Sequence, residues 1–321
     1  MSVAALSPPQ QEIVRNQRTV VTCYGLFGRI FPDVGFVDYT EGIYHGDPSV
    51  EHNEAQQNQV CYVLDEVQCT AGTRILEVGC GNGRLLEEVR RRGATGVGIT
   101  ISPDQVAFCR DRGLDVRLLD YKNMGEEWTH QFDAVVANGS IEHFVHPREA
   151  AKGRTDEIFR RMFDIFHRAI DPASQNRRFI NTTIHFVRPP NPTNLLANPW
   201  RHRRGSDDWH WAWLERSFGG FYPSLGQFER CADGRFEMIK CEDGTQDYHF
   251  TSEEWLRRIR RTVPTQLGFK LFWRSLPFAL RHPKQTFDMF YCMLGSESWN
   301  WQFRGDDPPT RLLRQTWDYR P

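Results

Sequence analysis

A short apolar strand that runs directly into three alternate glycines constrains this chain more than any other feature. The segment Ile75–Gly83 reads ILEVGCGNG, places glycines at Gly79, Gly81 and Gly83, and precedes the charged stretch Arg84–Arg92. Glycine tolerates positive φ and has no Cβ, so such a turn lets a flat ligand approach the backbone closely. The segment therefore predicts a strand, a ligand-binding turn and a helix in succession.

Short apolar runs alternate with amphipathic segments beyond this turn, which is typical of β-α-β units. The predicted strands are Arg74–Val78, Gly96–Thr100, Val116–Leu119, Phe132–Asn138 and Arg178–Thr183. The predicted helices are Arg84–Arg92, Pro103–Arg112 and Glu157–Ile170. Apolar strands flanked by helices imply a parallel sheet covered on both faces, with ligands beyond the carboxyl ends of the strands.

Composition and charge exclude several classes of protein. The chain has 321 residues, and its 40 Lys and Arg against 41 Asp and Glu leave a net charge of −1. A global basic field for nucleic acid is absent, so no nucleic-acid partner is expected. The eight cysteines form no C-x-x-C pair, and the first residues resemble no secretory signal, so a cytoplasmic location is expected. No apolar run approaches the length of a membrane span.

The spacing of the glycines argues against two common kinds of nucleotide-binding site. A dinucleotide fingerprint has the pattern G-x-G-x-x-G, whereas this turn reads G-x-G-x-G with Glu77 ahead of it. A phosphate loop requires Lys followed by Ser or Thr after the last glycine, and this chain has Arg84 and Leu85 there. The motif instead resembles the first motif of class I S-adenosylmethionine-dependent methyltransferases.

The following segments narrow the resemblance to the cyclopropane-fatty-acid synthase family. Gly98–Gln105 is similar to its second motif, Leu118–Lys122 to its third, and Phe132–Phe144 to its fourth, including a Glu-His pair. The resemblance covers about residues 35–315. It implies an α/β fold, a Rossmann-like and mostly parallel seven-stranded sheet with helices on both faces. Residues 1–70 are expected to form an N-terminal helical cap, and 71–321 a methyltransferase domain with a substrate-covering aromatic and basic insertion at about 186–230.

The same resemblance implies S-adenosylmethionine as the cofactor. Within it, Thr100 and Gln105 hold the ribose side, Asp120 and Tyr121 flank the adenine, and the glycines of the turn admit the cofactor. The implied cofactor-binding residues are Tyr39, Thr40, Glu77, Gly79, Gly81, Gly83, Thr100, Gln105, Asp120, Tyr121 and Asn138.

The catalytic residues also follow from the resemblance. In cyclopropane synthases a bicarbonate, held by a Cys, a Glu, a His and a Tyr, acts as the base. Here the Glu corresponds to Glu142 and the Tyr to Tyr248, but the Cys corresponds to Glu41 and the His to Asn181. A carboxylate at residue 41 would repel bicarbonate, so Glu142 or Glu41 is expected to take the proton itself. The alternatives are a surface acid at Glu41 and a structural acid at Glu142.

The function implied is C-methylation of a double bond in a lipid or isoprenoid. Methylation of nitrogen or oxygen in a small metabolite, and cofactor binding without catalysis, remain alternatives. No metal is expected, because the histidines lack ligands at recurring offsets. Homo-oligomerisation and peripheral membrane contact both remain open.

Two aromatic and basic segments have two interpretations each. The patch Arg201–Arg204 suits a phosphate or diphosphate, or is a solvated loop, and the nearby tryptophans would line an acyl or isoprenyl chain or pack as the core of a lid. These tryptophans are Trp200, Trp209, Trp211 and Trp213. The tail Gln266–Leu294 resembles a membrane-surface face or a buried amphipathic helix. Between the two segments, Phe236–Lys240 and Gln246–Phe250 are predicted as strands, and a capping box at Thr251–Glu254 predicts a helix start.

Overall fold

Seven strands form one sheet at the centre of the fold. The computed structural model describes Ser7, Gln11, Gln17–Phe36 and Asp38–Pro321. The strands are β1 (Arg74–Val78), β2 (Thr95–Thr100), β3 (Asp115–Leu118), β4 (Ala134–Asn138), β5 (Arg178–Phe186), β6 (Phe236–Asp243) and β7 (Thr310–Tyr319). Their order is β3-β2-β1-β4-β5-β7-β6. Strands β1 to β5 pair in parallel, and β7 runs antiparallel between β5 and β6. The Rossmann-like, mostly parallel seven-stranded sheet is thus confirmed.

Helices cover both faces of this sheet, as the apolar strands require. The α-helices of the described chain are α1 (Arg18–Val34), α2 (His52–Glu66), α3 (Arg84–Arg91), α4 (Pro103–Arg110), α5 (Pro147–Ala150), α6 (Thr155–Ala169), α7 (Pro192–Leu195), α8 (Asp207–Phe218), α9 (Gln227–Cys231), α10 (Thr245–Thr262), α11 (Gln266–Arg281), α12 (Pro283–Phe290) and α13 (Ser298–Trp301). On one face, Val60 and Leu64 of α2 pack against Ile75 and Val136. On the other face, α6 contributes Phe163 and other aromatic side chains to the larger core.

Helix α1 and the loop after it lie over the carboxyl ends of the strands, whereas α2 packs on the sheet. The backbone N–H of Gly42 donates to Thr251 Oγ1 at 2.9 Å, and that of Tyr44 donates to Asp247 Oδ1 at 2.8 Å. Both acceptors lie on α10, so this helix fixes the loop in place. The domain boundary at residue 70 stays a prediction.

The prediction of a strand at Gln246–Phe250 and of a helix start at Thr251 is wrong. Helix α10 begins at Thr245. The backbone N–H of Thr245 donates a hydrogen bond to Asp243 Oδ1 at 2.8 Å. The aromatic residues of the segment favour a strand, but its buried positions recur every three or four residues. These positions are Tyr248, Thr251, Ser252, Trp255, Leu256 and Ile259. Burial of one helical face outweighs local propensity here.

The tryptophans of the predicted insertion mostly pack with one another. Trp209, Trp211 and Trp213 are buried on α8, and Trp200 packs edge-on against Trp213 with ring centroids 5.3 Å apart. None of these four residues lines either of the two cavities described below. The structure therefore favours packing over the lining of a ligand chain for the three tryptophans of α8, and the substrate-covering role of the segment stays a prediction. The three arginines between Trp200 and α8 are exposed.

No helix in the described ranges combines the length and the apolar character needed to cross a bilayer.

Candidate functional site

A first cavity opens beyond the carboxyl ends of β1, β2 and β4, where parallel sheets bind their ligands. Most of the residues that sequence reasoning assigned to the cofactor line it. They are Tyr39, Thr40, Glu77, Gly79, Gly81, Thr100, Gln105, Asp120, Tyr121 and Asn138. Gly83 does not line it. A Cβ on Gly83 would lie 2.6 Å from Leu114 Cδ1, so this glycine allows α3 to pack closely on its neighbours.

The glycine turn, residues 79–83, fits a ligand that lies against backbone. Gly79 has a φ of +81°, and a Cβ there would lie 2.3 Å from Ser140 Cβ, because the turns after β1 and β4 touch at this point. A Cβ on Gly81 would lie more than 4 Å from every described atom apart from its chain neighbours, and this residue faces the cavity. The turn therefore packs tightly against the protein at Gly79 and leaves space for a ligand at Gly81.

Hydrogen bonds and a ring contact preset the polar wall of the first cavity. Thr100 Oγ1 donates to Gln105 Oε1 at 2.6 Å, which orients the amide of Gln105. Tyr121 stacks on Phe144, with ring centroids 4.1 Å apart, and both rings line the cavity. Flat, apolar side chains at one end and amide and hydroxyl groups at the other suit an adenosyl group.

Three carboxyl groups, those of Asp38, Glu77 and Asp120, line this cavity together with the cationic side chains of Arg84 and Lys122. Burial raises the pKa of Glu77 and of Asp38, and neighbouring Asp38 raises that of Glu77 further. Glu77 Oε2 is buried and has no hydrogen-bond partner in the described chain. Asp120 completes the set. A ligand with donor groups and positive charge would satisfy these acceptors, and S-adenosylmethionine has both.

A second cavity, called the aromatic cavity below, adjoins the first. The two share Tyr24, Tyr39, Gly139 and His143 as a common wall. The full lining is Tyr24, Phe27, Tyr39, Gly139, Glu142, His143, Ile184, Phe218, Tyr222, Tyr248, Trp255 and Trp299. Burial lowers the pKa of His143 to about 4, so this residue is neutral at pH 7. Glu142 is then the one acidic residue of the lining, which contains neither Lys nor Arg.

Glu142 is positioned by the turn that follows β4. Its Oε1 accepts a hydrogen bond from the N–H of Ile184 at 2.8 Å, whereas Oε2 is buried without a partner among the described residues. Burial raises the pKa of Glu142 to about 7, and the nearby charge of Glu41 adds a smaller rise. One carboxylate oxygen is thus fixed and the other is free to exchange a proton near neutral pH.

Tyr248 and Glu41 flank Glu142 differently. Tyr248 lines the aromatic cavity and stacks on Phe303 at 4.4 Å between ring centroids. Glu41 lines neither cavity and is fully buried, so it is no surface acid. It accepts from Arg314 Nε at 3.3 Å, and the same guanidinium donates to Asp247 Oδ2 at 2.9 Å.

Asn181, which corresponds to the family histidine, also lies away from both cavities. Its side chain accepts from Trp317 Nε1 at 2.8 Å and donates to Gln315 Oε1 at 3.2 Å. Both partners lie on β7, which sequence reasoning did not find. The side chain of Asn181 therefore joins two strands.

Sequence reasoning also missed a buried ion-pair partner of Glu41 and most of the aromatic lining. Arg314 lies on β7, far from Glu41 in the chain, and no local pattern connects them. The aromatic lining comes from five separate segments. The resemblance supplied Tyr39 and Tyr248, and for the other aromatic residues the only signal was the aromatic content of 13%. No three His, Cys, Asp or Glu side chains within the described ranges are grouped closely enough to hold a metal ion.

Comparison with known proteins finds a matching family and related sequences. A family model described as mycolic acid cyclopropane synthetase matches residues 35–267. The chain is 26% identical over 244 residues to the cyclopropane-fatty-acyl-phospholipid synthase of Escherichia coli (strain K12), a match that covers 74% of this chain and 54% of that protein. The chain thus spans about half the length of this curated relative.

Solved structures share the fold. Mycolic acid cyclopropane synthase CmaA1, complexed with SAH and CTAB, superposes with a TM-score of 0.68 at 18% identity and covers 94% of this chain and 97% of its own. The cyclopropane synthase MmaA2 from Mycobacterium tuberculosis gives a TM-score of 0.66 at 16% identity over the same shares.

Replacing Glu142 by Gln should stabilise the protein at alkaline pH and not at acid pH. The folded state binds the Glu142 proton more tightly than the unfolded state, so the wild-type chain loses stability as pH rises from the ordinary carboxyl pKa to about 7. Glutamine keeps the acceptor for Ile184 without the charge. Between pH 5 and pH 8 we expect the variant to gain about 2 kcal/mol relative to wild type in denaturant unfolding.

The matched control is Glu229→Gln, since Glu229 is exposed. A stability difference between Glu142→Gln and wild type that stays constant across this pH range would contradict the raised pKa.

Proposed function

Because the chain belongs to the mycolic acid cyclopropane synthetase family, we propose that it transfers a methyl or methylene group from S-adenosylmethionine to a carbon–carbon double bond of a lipid or isoprenoid. One observation carries the proposal. Glu142, a buried carboxyl with one free oxygen, faces an aromatic cavity that shares a wall with the cavity of the glycine turn.

The first cavity would hold the cofactor. Gly79 and Gly81 allow its close approach to the backbone, Gln105 and Asp120 offer polar groups, and Tyr121 offers a flat face. When bound, S-adenosylmethionine supplies an electrophilic methyl group on a sulfonium centre. Tyr39 and Gly139 lie on the shared wall, where the acceptor would meet this group.

The aromatic cavity suits the acceptor that such chemistry demands. A double bond that gains a methyl group becomes a carbocation, and aromatic faces stabilise cations. Tyr248, Phe218, Trp255 and Trp299 provide these faces. The absence of Lys and Arg from the lining keeps positive charge away from the cation, so an anionic headgroup would lie outside this cavity.

Glu142 would then take the proton that neutralises the cation. The electrons of the broken C–H bond close a cyclopropane ring if the proton leaves the new methyl group, or form a double bond if it leaves a neighbouring carbon. Oε2 accepts the proton while Ile184 holds Oε1 in place. A pKa of about 7 leaves a large fraction of Glu142 ionised at neutral pH.

Glu41 would act through charge, since it does not touch the cavity. Its carboxylate, held by Arg314, adds negative potential near Glu142 and Tyr248, which favours a cation between them. The same potential disfavours a bicarbonate. We therefore propose that the proton acceptor is Glu142 and that no bound anion is required.

A heteroatom acceptor has less support. Methylation of an amine or a hydroxyl creates no carbocation and does not require a buried carboxylate among aromatic rings. This alternative predicts that methyl groups from labelled S-adenosylmethionine enter water-soluble metabolites and not lipid.

Glu142→Gln should lower the transfer of labelled methyl groups from S-adenosylmethionine into a lipid extract by roughly 10²–10⁴-fold, because the amide cannot accept the proton. Cofactor binding, measured by calorimetry, should stay within about twofold of wild type, since Glu142 does not line the first cavity. The wild-type rate should rise with pH up to about 7. Glu229→Gln serves again as the control.

Label that enters water-soluble metabolites instead of lipid would contradict the proposed acceptor. A rate for Glu142→Gln close to that of wild type would contradict the proposed base.

Removal of bicarbonate should leave the rate unchanged. The proton acceptor belongs to the chain, and the carboxylates of Glu41 and Glu142 oppose the entry of an anion. The measurement compares initial rates in carbon-dioxide-free buffer with and without added bicarbonate. Stimulation of wild type by bicarbonate would show that a borrowed base is used.

A further inference from the structure

Helix α11 carries an apolar stripe on the side that faces solvent. Phe269 is 65% exposed, Phe272 60%, Trp273 54% and Leu280 73%. Their spacing of three, four and seven residues places them on one face, together with half-buried Leu276. Solvent-facing helix positions are ordinarily polar, so this face differs from that of a surface helix.

The opposite face of α11 already fixes the helix to the protein. Leu271 and Ser275 are buried, and a Cβ on Gly25 of α1 would lie 3.5 Å from the ring of Phe278. Arg274 bonds to Asp33 and to a backbone carbonyl of α1. The outer stripe, defined as Phe269, Phe272, Trp273, Leu276 and Leu280, is therefore extra apolar surface that the core does not use.

Positive charge surrounds the outer stripe. Residues 255–287 contain eight Lys and Arg and no Asp or Glu, although the whole chain has a net charge of −1. Several of these side chains pair with acids outside the segment, such as Arg260 with Glu297. Lys270 and Arg281 are exposed and directly follow Phe269 and Leu280, the two end residues of the stripe. Neither forms an ion pair with any described residue.

We propose that the outer stripe of α11 is an interfacial surface that binds a bilayer containing anionic phospholipid. Aromatic side chains with flanking Lys and Arg are the combination that such surfaces favour. Basic residues near an anionic membrane add electrostatic attraction to the burial of apolar side chains. A second copy of the chain fits less well, since a two-fold contact would bring two basic segments together.

The position of α11 would bring the aromatic cavity near a membrane that contains the acceptor, an argument that rests on the proposed function. Helix α11 packs on α1, and α1 contributes Tyr24 and Phe27 to the aromatic cavity. A docked α11 would therefore place α1, and the side of the aromatic cavity that α1 forms, toward the lipid surface. Most of α11 lies beyond residue 267, where the match to the family ends.

Co-sedimentation with vesicles tests the surface without any reading of catalysis, so a failure of the proposed reaction would not affect it. The probes are vesicles of phosphatidylcholine alone and of phosphatidylcholine with about a third phosphatidylglycerol. We expect the full chain to bind the anionic vesicles at least about tenfold more strongly than the neutral ones. The double variant Phe269→Ser with Trp273→Ser should lose about tenfold or more of this binding.

Two further variants separate the causes. Lys270→Glu with Arg281→Glu should weaken binding to anionic vesicles only. The control Ile239→Ser changes an exposed apolar residue on β6, outside the stripe, and should bind like wild type. Circular dichroism melting should be unchanged in all three, because the substituted side chains are exposed. Two results would overturn the proposal: no binding of wild type to anionic vesicles, or unchanged binding in the double variant Phe269→Ser with Trp273→Ser. A wild-type dimer in sedimentation velocity that this double variant dissociates would overturn it in favour of a second copy.

Discussion

The close contact between the turns after β1 and β4 is the constraint on which the rest of the site depends. Gly79 leaves room for Ser140, whose Oγ donates to the carbonyl of Val78 at 2.7 Å, and the N–H of Gly139 donates to Thr182 of β5 at 3.0 Å. These hydrogen bonds join the ends of β1, β4 and β5. Gly139 lines both cavities at this point, and Glu142 follows it three residues later in the chain.

Burial of Glu142 is the second consequence. Aromatic side chains from distant segments remove water from its carboxyl, and backbone donors such as the N–H of Ile184 compensate only in part, so the pKa rises to about 7. This arrangement costs stability at neutral pH and gives the site a group that accepts a proton there. The buried Glu41, Arg314 and Asp247 network differs, because each charge in it has an opposite partner.

The sequence allowed the sheet and most of the first cavity to be predicted, because their signals are local. The glycines at 79 and 81 directly follow β1, Asp120 comes just after β3, and Asn138 ends β4. All three strands run in parallel in one sheet, so their carboxyl ends lie at the same edge. The assignment of Gly83 to the site rested on its place in the glycine turn, and that of Asn181 on correspondence with the family. Packing gives both of them other neighbours. Strand β7 pairs with distant strands, and Arg314 pairs with Glu41, 273 residues away in the chain. Local sequence patterns do not predict contacts between such distant segments. Helix α10 was mistaken for a strand because its aromatic residues favour strands, and only tertiary burial selects the helical period.

A crystal structure with S-adenosylhomocysteine bound tests the central claim most directly, since the claim is that cofactor and acceptor meet across the shared wall of the two cavities. The account predicts adenine beside Tyr121 and the sulfur at the opening near Tyr39 and Gly139, directed toward Glu142. A ligand bound with its sulfur directed away from the aromatic cavity, or bound elsewhere on the protein, would contradict it.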